Sequence, residues 1–158
     1  MTATLSIRRA TDADVEAAVD VWQRARWDAR QAHLAARIDF DAQKDLDHFR
    51  AVVMREDEVW LAVDRDEVVG LLAMAGPRIH QLHVRPDRQR SGIGTALMAH
   101  ARVCSPAGLR LHTFQGNAQS RRFHERHGFR ATRFGISPAP ECEPDVEYAW
   151  TPDAPPRG

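Results

Sequence analysis

The chain has few of the features that mark secreted, membrane-spanning or nucleic-acid-binding proteins. Its 158 residues contain only two cysteines, Cys104 and Cys142, so we expect two incidental thiols in a cytoplasmic protein. No apolar run approaches the roughly 20 residues of a membrane span. Acidic and basic residues balance at 22 each, which argues against a nucleic-acid-binding surface. Residues 1–5 lack the basic and apolar regions of a signal peptide.

The composition suits one domain. Apolar residues make up 43% of the chain, which is enough for a full core at this length. No internal repeat and no long Gly/Ser linker divides it. We therefore predict one domain over residues 1–150, followed by a Pro-rich tail, residues 151–158, that we expect to be disordered.

Hydrophobic periodicity predicts an α/β fold. Apolar residues at helical spacing predict a helix that follows Thr11 and reaches about Leu34, and a second helix over residues 41–55. Further helices are expected at residues 95–104 and 117–127. Runs rich in β-branched residues predict strands at residues 5–10, 59–63, 68–75, 79–84, 109–114, 129–136 and 146–150. The order is β-α-α-β-β-β-α-β-α-β-β, a mixed sheet of about seven strands with helices on both faces.

The segment from Gln89 to Gly94 carries the strongest functional signal. It lies between a predicted strand and a predicted helix, where unpaired backbone N–H groups and the helix dipole attract anions. Gly92 and Gly94 let an anion approach the backbone. The sequence therefore predicts a site for a pyrophosphate-bearing cofactor. The amides expected to hold it belong to Gln89, Arg90, Ser91, Gly92, Ile93, Gly94 and Thr95.

Two better-known glycine loops do not fit this segment. A dinucleotide-binding fingerprint needs a third glycine three residues after Gly94, where the chain has Leu97. A Walker loop needs Gly-Lys-Ser or Gly-Lys-Thr, which is absent. An ordinary strand-to-helix turn is the remaining alternative, and it leaves Gln89 unexplained.

A second segment, residues 117–129, narrows the identity of the cofactor. It is similar to the pattern Asn-x-x-[Ala/Ser]-x-x-Phe-Tyr-x-x-x-Gly-Phe, while Gln89, Gly92 and Gly94 fit [Arg/Gln]-x-x-Gly-x-[Gly/Ala]. The two motifs occur in this order, about 25 residues apart. Over about residues 5–150 the chain resembles the GNAT superfamily of acyl-CoA-dependent N-acyltransferases.

The resemblance implies a GNAT fold that uses acetyl-CoA. Pantetheine would enter a gap between the strand carrying Leu82, His83 and Val84 and the strand that begins at Leu109. Asn117 would face CoA, cap its own helix, or do both. We call residues 89–95 the phosphate loop. The resemblance adds five further cofactor contacts: Leu82, His83, Val84, Asn117 and Phe123. Phe123 would either form a wall against pantetheine or belong to the core. Arg90 and Arg88 would pair with phosphate oxygens or lie on the surface as solvated charges.

Two histidines are the candidate catalytic residues. His124 stands where the family usually has the Tyr that protonates the CoA thiolate, and either His124 or water would supply that proton. His80 occupies a strand position where many members carry an acidic base. His83 and a water chain are the alternatives. Strand alternation predicts that His80 and His83 lie on opposite faces.

The resemblance places the acceptor pocket between the first two helices and the last hairpin. Trp27 and Glu143 are the candidate substrate contacts, and Phe40 is a further one, whereas the spacing of Trp22 favours the core. The acidic residues 141–147 would draw in a cationic amine or form a solvated loop. His124 and His127 are three positions apart, whereas the zinc-binding pattern His-Glu-x-x-His places its histidines four apart. We therefore expect no metal site at these histidines.

Three kinds of function stay open at this point. The first is acetyl transfer to a small-molecule primary amine by direct attack, in an enzyme without a nucleic-acid or membrane partner. The second is a GNAT-fold enzyme that deacylates, decarboxylates or rearranges an acyl-CoA. The third is a non-catalytic acyl-CoA-binding module. Family habit favours a homodimer.

Overall fold

The computed structural model describes residues 5–33, 41–139 and 141–152, with side chains for all of these except residues 29–33. The strands are β1 Leu5–Arg9, β2 Glu58–Asp64, β3 Glu67–Ala75, β4 Arg78–Val84, β5 Leu109–Phe114, β6 Arg130–Ile136 and β7 Pro144–Trp150. The α-helices are α1 Val15–His33, α2 Ala42–His48, α3 Met54–Glu56, α4 Ile93–Cys104 and α5 Ala118–Arg126. Predictions on Leu34, on Phe40 and on residues 153–158 lie outside the described residues.

The predicted order of elements is confirmed, with local refinements. A π-helical turn, Phe49–Val53, joins α2 to α3, so the predicted second helix is irregular in its middle. Short 3₁₀ turns occupy Asp12–Asp14 and Pro86–Arg88. Among the described residues, no helix combines the length and the apolar character needed to span a membrane.

The strands form one mixed sheet in the order β1-β2-β3-β4-β5-β7-β6. Neighbouring strands are antiparallel except for β4 and β5, which are parallel. The turn between β2 and β3 is centred on Arg65 and Asp66, which both have positive φ, 51° and 67°. Two positive φ values match the twist that a tight hairpin requires.

Helices cover both faces of the sheet. On β3, Leu71 and Ala73 face a core formed with α1 and the π-helical turn, whereas Leu72 and Met74 face a core formed with α4. This alternation is the period of a strand buried on both sides. Trp22 of α1 is 9% exposed, which confirms its predicted place in the core.

The sheet opens between β4 and β5. Their ladder pairs only Arg78 with Arg110 in the described chain, and the Arg110 N–H also donates to the Pro77 carbonyl at 2.8 Å. Beyond that pair the strands run on without further pairing. The two facing strand edges therefore form a cleft at the centre of the sheet, with unpaired backbone groups available to an extended ligand.

Candidate functional site

The loop before α4 presents a row of backbone donors at the C-terminal end of β4. Gly92 caps the helix with φ 87°, and a Cβ on it would meet nothing within 4 Å, so glycine serves the backbone conformation here. Within the described chain, the N–H groups from Arg90 to Thr95 have no acceptor. Such a row at a helix N-terminus is an anion-binding arrangement.

Gly94 has a different role from Gly92. A Cβ at Gly94 would lie 3.1 Å from Cε1 of Phe123 and 3.7 Å from Cγ2 of Val84. The sequence favours both glycines for the approach of an anion. The structure shows that Gly94 also permits α4 to lie directly against α5 and β4.

The two sequence motifs meet in space. The Gln119 side chain donates to Oε1 of Gln89 at 3.1 Å, and Nε2 of Gln89 lies 3.4 Å from the Val84 carbonyl oxygen. Asn117 caps α5 by accepting from the Ser120 N–H at 3.2 Å. The phosphate loop and the start of α5 therefore border the same end of the cleft, and the N-cap role of Asn117 is present.

The two candidate phosphate-binding arginines differ in their partners. Arg88 forms an ion pair with Asp64 at the end of β2, so its charge is already balanced within the fold. Arg90 is exposed on the loop itself and has a positive φ of 63°. Of the two, Arg90 is the exposed one and lies close to the start of α4.

A β-bulge rearranges the histidines of β4. The register passes from Ala73 opposite Gln81 to Met74 opposite Ile79, so His80 is the extra residue. The alternation predicted for His80 and His83 is therefore wrong, because a bulge shifts the strand's side-chain phase.

Both histidines lie on the face covered by α1–α3. His80 contacts Asp57, which follows α3, at 3.0 Å, and His83 lies near Arg26 of α1. Burial and the positive charge of Arg26 lower the pKa of His83 to about 4, so its ring is neutral at pH 7. Nε2 of His83 contacts Oε1 of Gln81 at 2.7 Å.

The opposite face of β4 supplies apolar walls. Leu82 and Val84 pack, together with Phe123, against the core that α4 and α5 share with the sheet. The strand residues predicted to border a pantetheine therefore divide between an apolar face and the face that carries the histidines.

His124 is the buried polar residue of α5. It is 7% exposed, and its ring centroid lies 5.8 Å from those of Phe129 and Tyr148. Burial, followed by the influence of His127, lowers the pKa of His124 to about 4. Its Nδ1 atom is buried without a hydrogen-bond partner in the described chain. No contact in the structure assigns this ring a catalytic role, and its role as proton donor stays a prediction.

Two groups of polar contacts near the site could not be predicted from the sequence. The Tyr148 hydroxyl donates to Glu125 at 2.6 Å and accepts from Nε of Arg121 at 3.1 Å. Asp57 contacts His80 across 23 positions of sequence. Arg121 and Glu125 are four residues apart on one helix, but nothing local shows which strand residue they meet.

The candidate acceptor residues lie in different places. Trp27 is 50% exposed and borders an open hollow of about 340 Å³. The hollow is lined by Arg24, Trp27, Asp28, Pro86 and Asp87. Glu143 is half-buried between β6 and β7, where its N–H donates to Oγ of Ser137 at 3.0 Å. Glu143 is not among the described residues that line the hollow.

The acidic stretch is partly neutralised, and no metal cluster accompanies it. Glu147 forms ion pairs with Arg78 at 3.3 Å and Arg110 at 3.4 Å, so it is not a free solvated charge. Within the described ranges, no group of three or more His, Cys, Asp or Glu side chains is arranged to hold a metal ion.

Comparisons with known proteins agree with this geometry. The family model described as acetyltransferase (GNAT) domain matches residues 55–131. The peptidyl-lysine N-acetyltransferase YjaB of Salmonella typhimurium is 30% identical over 129 residues, which cover 81% of this chain and 85% of that protein.

Solved structures share the fold. The solution structure of apo-form YjaB from Escherichia coli superimposes with a TM-score of 0.76 and 28% identity, covering 95% of this chain and 98% of that one. The PaiA N-acetyltransferase from Thermoplasma acidophilum, solved in complex with coenzyme A, gives a TM-score of 0.70 at 14% identity, covering 96% and 99%. With the split sheet and the glycine loop between β4 and α4, the match to the Salmonella protein shows that the chain belongs to the GNAT family of acetyltransferases.

Proposed function

We propose that this protein transfers an acetyl group from acetyl-CoA to a primary amine by direct attack in a ternary complex. The row of unpaired N–H groups from Arg90 to Thr95, at the mouth of the β4–β5 cleft, carries the proposal. These donors fit a pyrophosphate, and Gly92 leaves open space beside them. The surface proposed to contact the pyrophosphate also includes Ser91, Ile93 and the side chain of Arg90.

The cleft suits the remainder of the cofactor. Pantetheine would lie between the unpaired edges of β4 and β5, with Leu82 and Val84 on one side and His83 on the other. Asn117 and Phe123 of the second motif would border it from α5. A backbone N–H at the open edge of β4 would then hold the thioester carbonyl and stabilise its developing negative charge.

The reaction needs two proton movements. An amine arrives as an ammonium ion and first loses a proton, for which His80 is our candidate base. Its nitrogen then attacks the thioester carbon, the C–N bond forms and the C–S bond breaks. The amide loses the second proton, and the leaving thiolate takes one up. The balance is one amide, one free thiol and one proton released.

His124 is our candidate donor of the proton to sulfur. Its low pKa keeps the ring neutral before the reaction, so the ring would take up the proton that the amide nitrogen releases and pass it to the thiolate sulfur. Its Nδ1 atom is buried without a partner in the described chain, which leaves it available to a proton or a hydrogen bond during the reaction. Delivery through water is the alternative.

For the acceptor we propose the side-chain amine of a peptide lysine. The name of the Salmonella relative, a peptidyl-lysine N-acetyltransferase, supports it. The small-molecule amine predicted from the sequence is the second candidate. The hollow of about 340 Å³ beside Trp27 favours it, since small-ligand sites measure roughly 300–1,000 Å³.

A coupled assay tests these proposals. The protein is incubated with acetyl-CoA and either a lysine peptide, the same peptide with glutamine in place of lysine, or small primary amines. Free thiol and acetylated product are measured together. Release that depends on the lysine peptide supports the proposal, and release that depends only on small amines selects the second acceptor. Release without any amine would indicate a different acyl-CoA reaction, and binding without release a non-catalytic module.

A further inference from the structure

Asp57, directly before β2, and His80 of β4 form a hydrogen-bonded pair. Nδ1 of His80 lies 3.0 Å and 3.1 Å from the two carboxylate oxygens of Asp57. His80 follows Arg78, which makes the last pairing between β4 and β5, by two positions. His80 therefore lies on β4 where β4 and β5 begin to separate, and its ring meets Asp57, which directly precedes β2, across β3.

The two members of the pair differ sharply in exposure. The side chain of Asp57 is 6% exposed, whereas that of His80 is 45% exposed. Burying a carboxylate is unfavourable unless it is hydrogen-bonded, and His80 is the side chain that bonds it in the described chain. One end of the imidazole is thus anchored in the fold while the ring itself reaches solvent.

This contact determines which nitrogen of His80 carries the proton. A carboxylate only accepts hydrogen bonds, so Nδ1 must donate to it. In the neutral ring, Nε2 then has a free lone pair directed away from Asp57. A lone pair on an accessible nitrogen is what a base needs in order to take a proton from an ammonium group.

The β-bulge is what makes the pair possible. His80 is the extra residue opposite Ala73 and Met74, so its side chain lies on the face of Asp57 instead of alternating away from it. Bulges re-aim side chains near active sites.

We propose that Asp57 is a positioning residue that holds His80 in the Nδ1–H tautomer, with Nε2 directed to the amine. This inference rests on the proposed function. In the reaction, Nε2 takes the proton that the ammonium loses, the freed amine attacks the thioester, and the imidazolium later releases that proton to solvent. Asp57 accepts the hydrogen bond from Nδ1 throughout and touches neither substrate.

His83 does not offer the same arrangement. Its pKa is lowered to about 4 by burial and Arg26, so it is a poor proton acceptor at neutral pH. Its Nε2 is already engaged by Gln81. His112, 47% exposed on β5, lies beside Arg78 and Glu147 and serves as a matched histidine control.

The test compares the Asp57→Asn variant with the wild type. Both are assayed for acetyl transfer to the amine that the coupled assay identifies as the acceptor. An amide can donate to Nδ1 as well as accept from it, so the variant populates the tautomer that blocks Nε2. We expect kcat to fall by at least about tenfold, with the KM for acetyl-CoA within about twofold. Glu58→Gln and His112→Gln, which remove a neighbouring carboxylate and an exposed histidine, should keep the wild-type rate.

Two further measurements separate positioning from a merely structural role. The double variant Asp57→Asn/His80→Gln should be no slower than His80→Gln alone, because Asp57 acts through His80. The ¹⁵N chemical shifts of His80 should report Nδ1–H in wild type and a mixture in Asp57→Asn. Additive losses, an unchanged tautomer, or wild-type kcat in Asp57→Asn would overturn the inference while leaving amine acetylation intact. If the wild type acetylates no amine, the proposed function fails, and this inference fails with it.

Discussion

Gly94 of α4 lies against the ring of Phe123 on α5, so closely that a Cβ at position 94 would stand 3.1 Å from Cε1 and 3.3 Å from Cζ. Real Cβ atoms rarely make contacts this short, and Val84 closes the other side at 3.7 Å. The first helix turn of the phosphate loop is thereby fixed to the segment that carries Asn117 and His124. One glycine thus links the two motifs in space.

Gly94→Val should destabilise the protein and weaken its binding of acetyl-CoA. A branched side chain at position 94 forces Phe123 or the loop to move, at a cost of about 1–3 kcal/mol. Urea unfolding gives the free energy, and calorimetry gives the affinity. Ala99→Val places the same side chain on an exposed position of α4 and should cost only about 0.5 kcal/mol. Equal effects of the two variants would contradict the steric explanation.

Arg90→Gln should weaken acetyl-CoA binding more than Arg88→Gln. Arg90 is exposed on the loop, whereas Arg88 is paired with Asp64. Loss of one charge-assisted phosphate contact corresponds to roughly a tenfold loss of affinity, and its salt dependence should fall as well. The measurement is the affinity of each variant at two ionic strengths. A larger loss for Arg88→Gln would place the phosphates on the β2 side of the loop.

Asn117→Asp should separate the capping role of Asn117 from its predicted contact with CoA. An aspartate oxygen can still accept from the Ser120 N–H, so the thermal midpoint should stay close to wild type. The amide donor is lost and a negative charge is gained, so acetyl-CoA should bind less tightly. Asn117→Ala, in comparison, should cost about 1 kcal/mol of stability. Unchanged affinity in Asn117→Asp would leave the residue with capping alone.

Stability should fall as the pH drops below 6.5, in part because of His124. Its pKa is about 4 in the folded protein and 6.5 as the ordinary value, so the unfolded chain binds the proton more readily. The contribution is complete above pH 6.5 and is lost progressively toward pH 4, about 2 kcal/mol between pH 7 and pH 5. His124→Phe should flatten this part of the curve in urea unfolding at a series of pH values. A slope equal to that of wild type would show that His124 titrates normally.

The same variant addresses the reaction. If His124 supplies the proton to the thiolate, His124→Phe should lower kcat by more than about tenfold with acetyl-CoA affinity unchanged. Steady-state rates and calorimetry give the two quantities. Unchanged turnover would remove His124 from the mechanism and leave water as the donor.

Local signals were sufficient for the order of helices and strands. The boundaries of β5, residues 109–114, match the prediction at both ends, because a short apolar run lies between clear turn residues. Each end of α5 differs by one residue from its predicted position, whereas α1 begins at Val15, three residues later than predicted, because a 3₁₀ turn occupies Asp12–Asp14. Helix ends depend on capping contacts, which periodicity alone does not locate.

The phosphate loop and its partner segment, residues 117–129, could be located from the sequence because each motif is continuous. The position of Gly92 requires a positive φ, and glycine is the residue that adopts it most readily. The residue type therefore indicated the turn. The partners of the polar side chains were not readable. Arg88 meets Asp64, and Gln89 meets Gln119, across 24 and 30 positions respectively.

The sequence by itself determined the family, the order of elements and the place of the glycine loop before α4, because periodicity and short motifs are local properties. Only the tertiary structure decided which face of β4 carries His80. That choice depends on the register between β3 and β4, where one extra residue forms a bulge. The register between two strands cannot be predicted from the sequence of either strand alone. The contact of His80 with Asp57 depends on that register, so it is seen only in the folded chain.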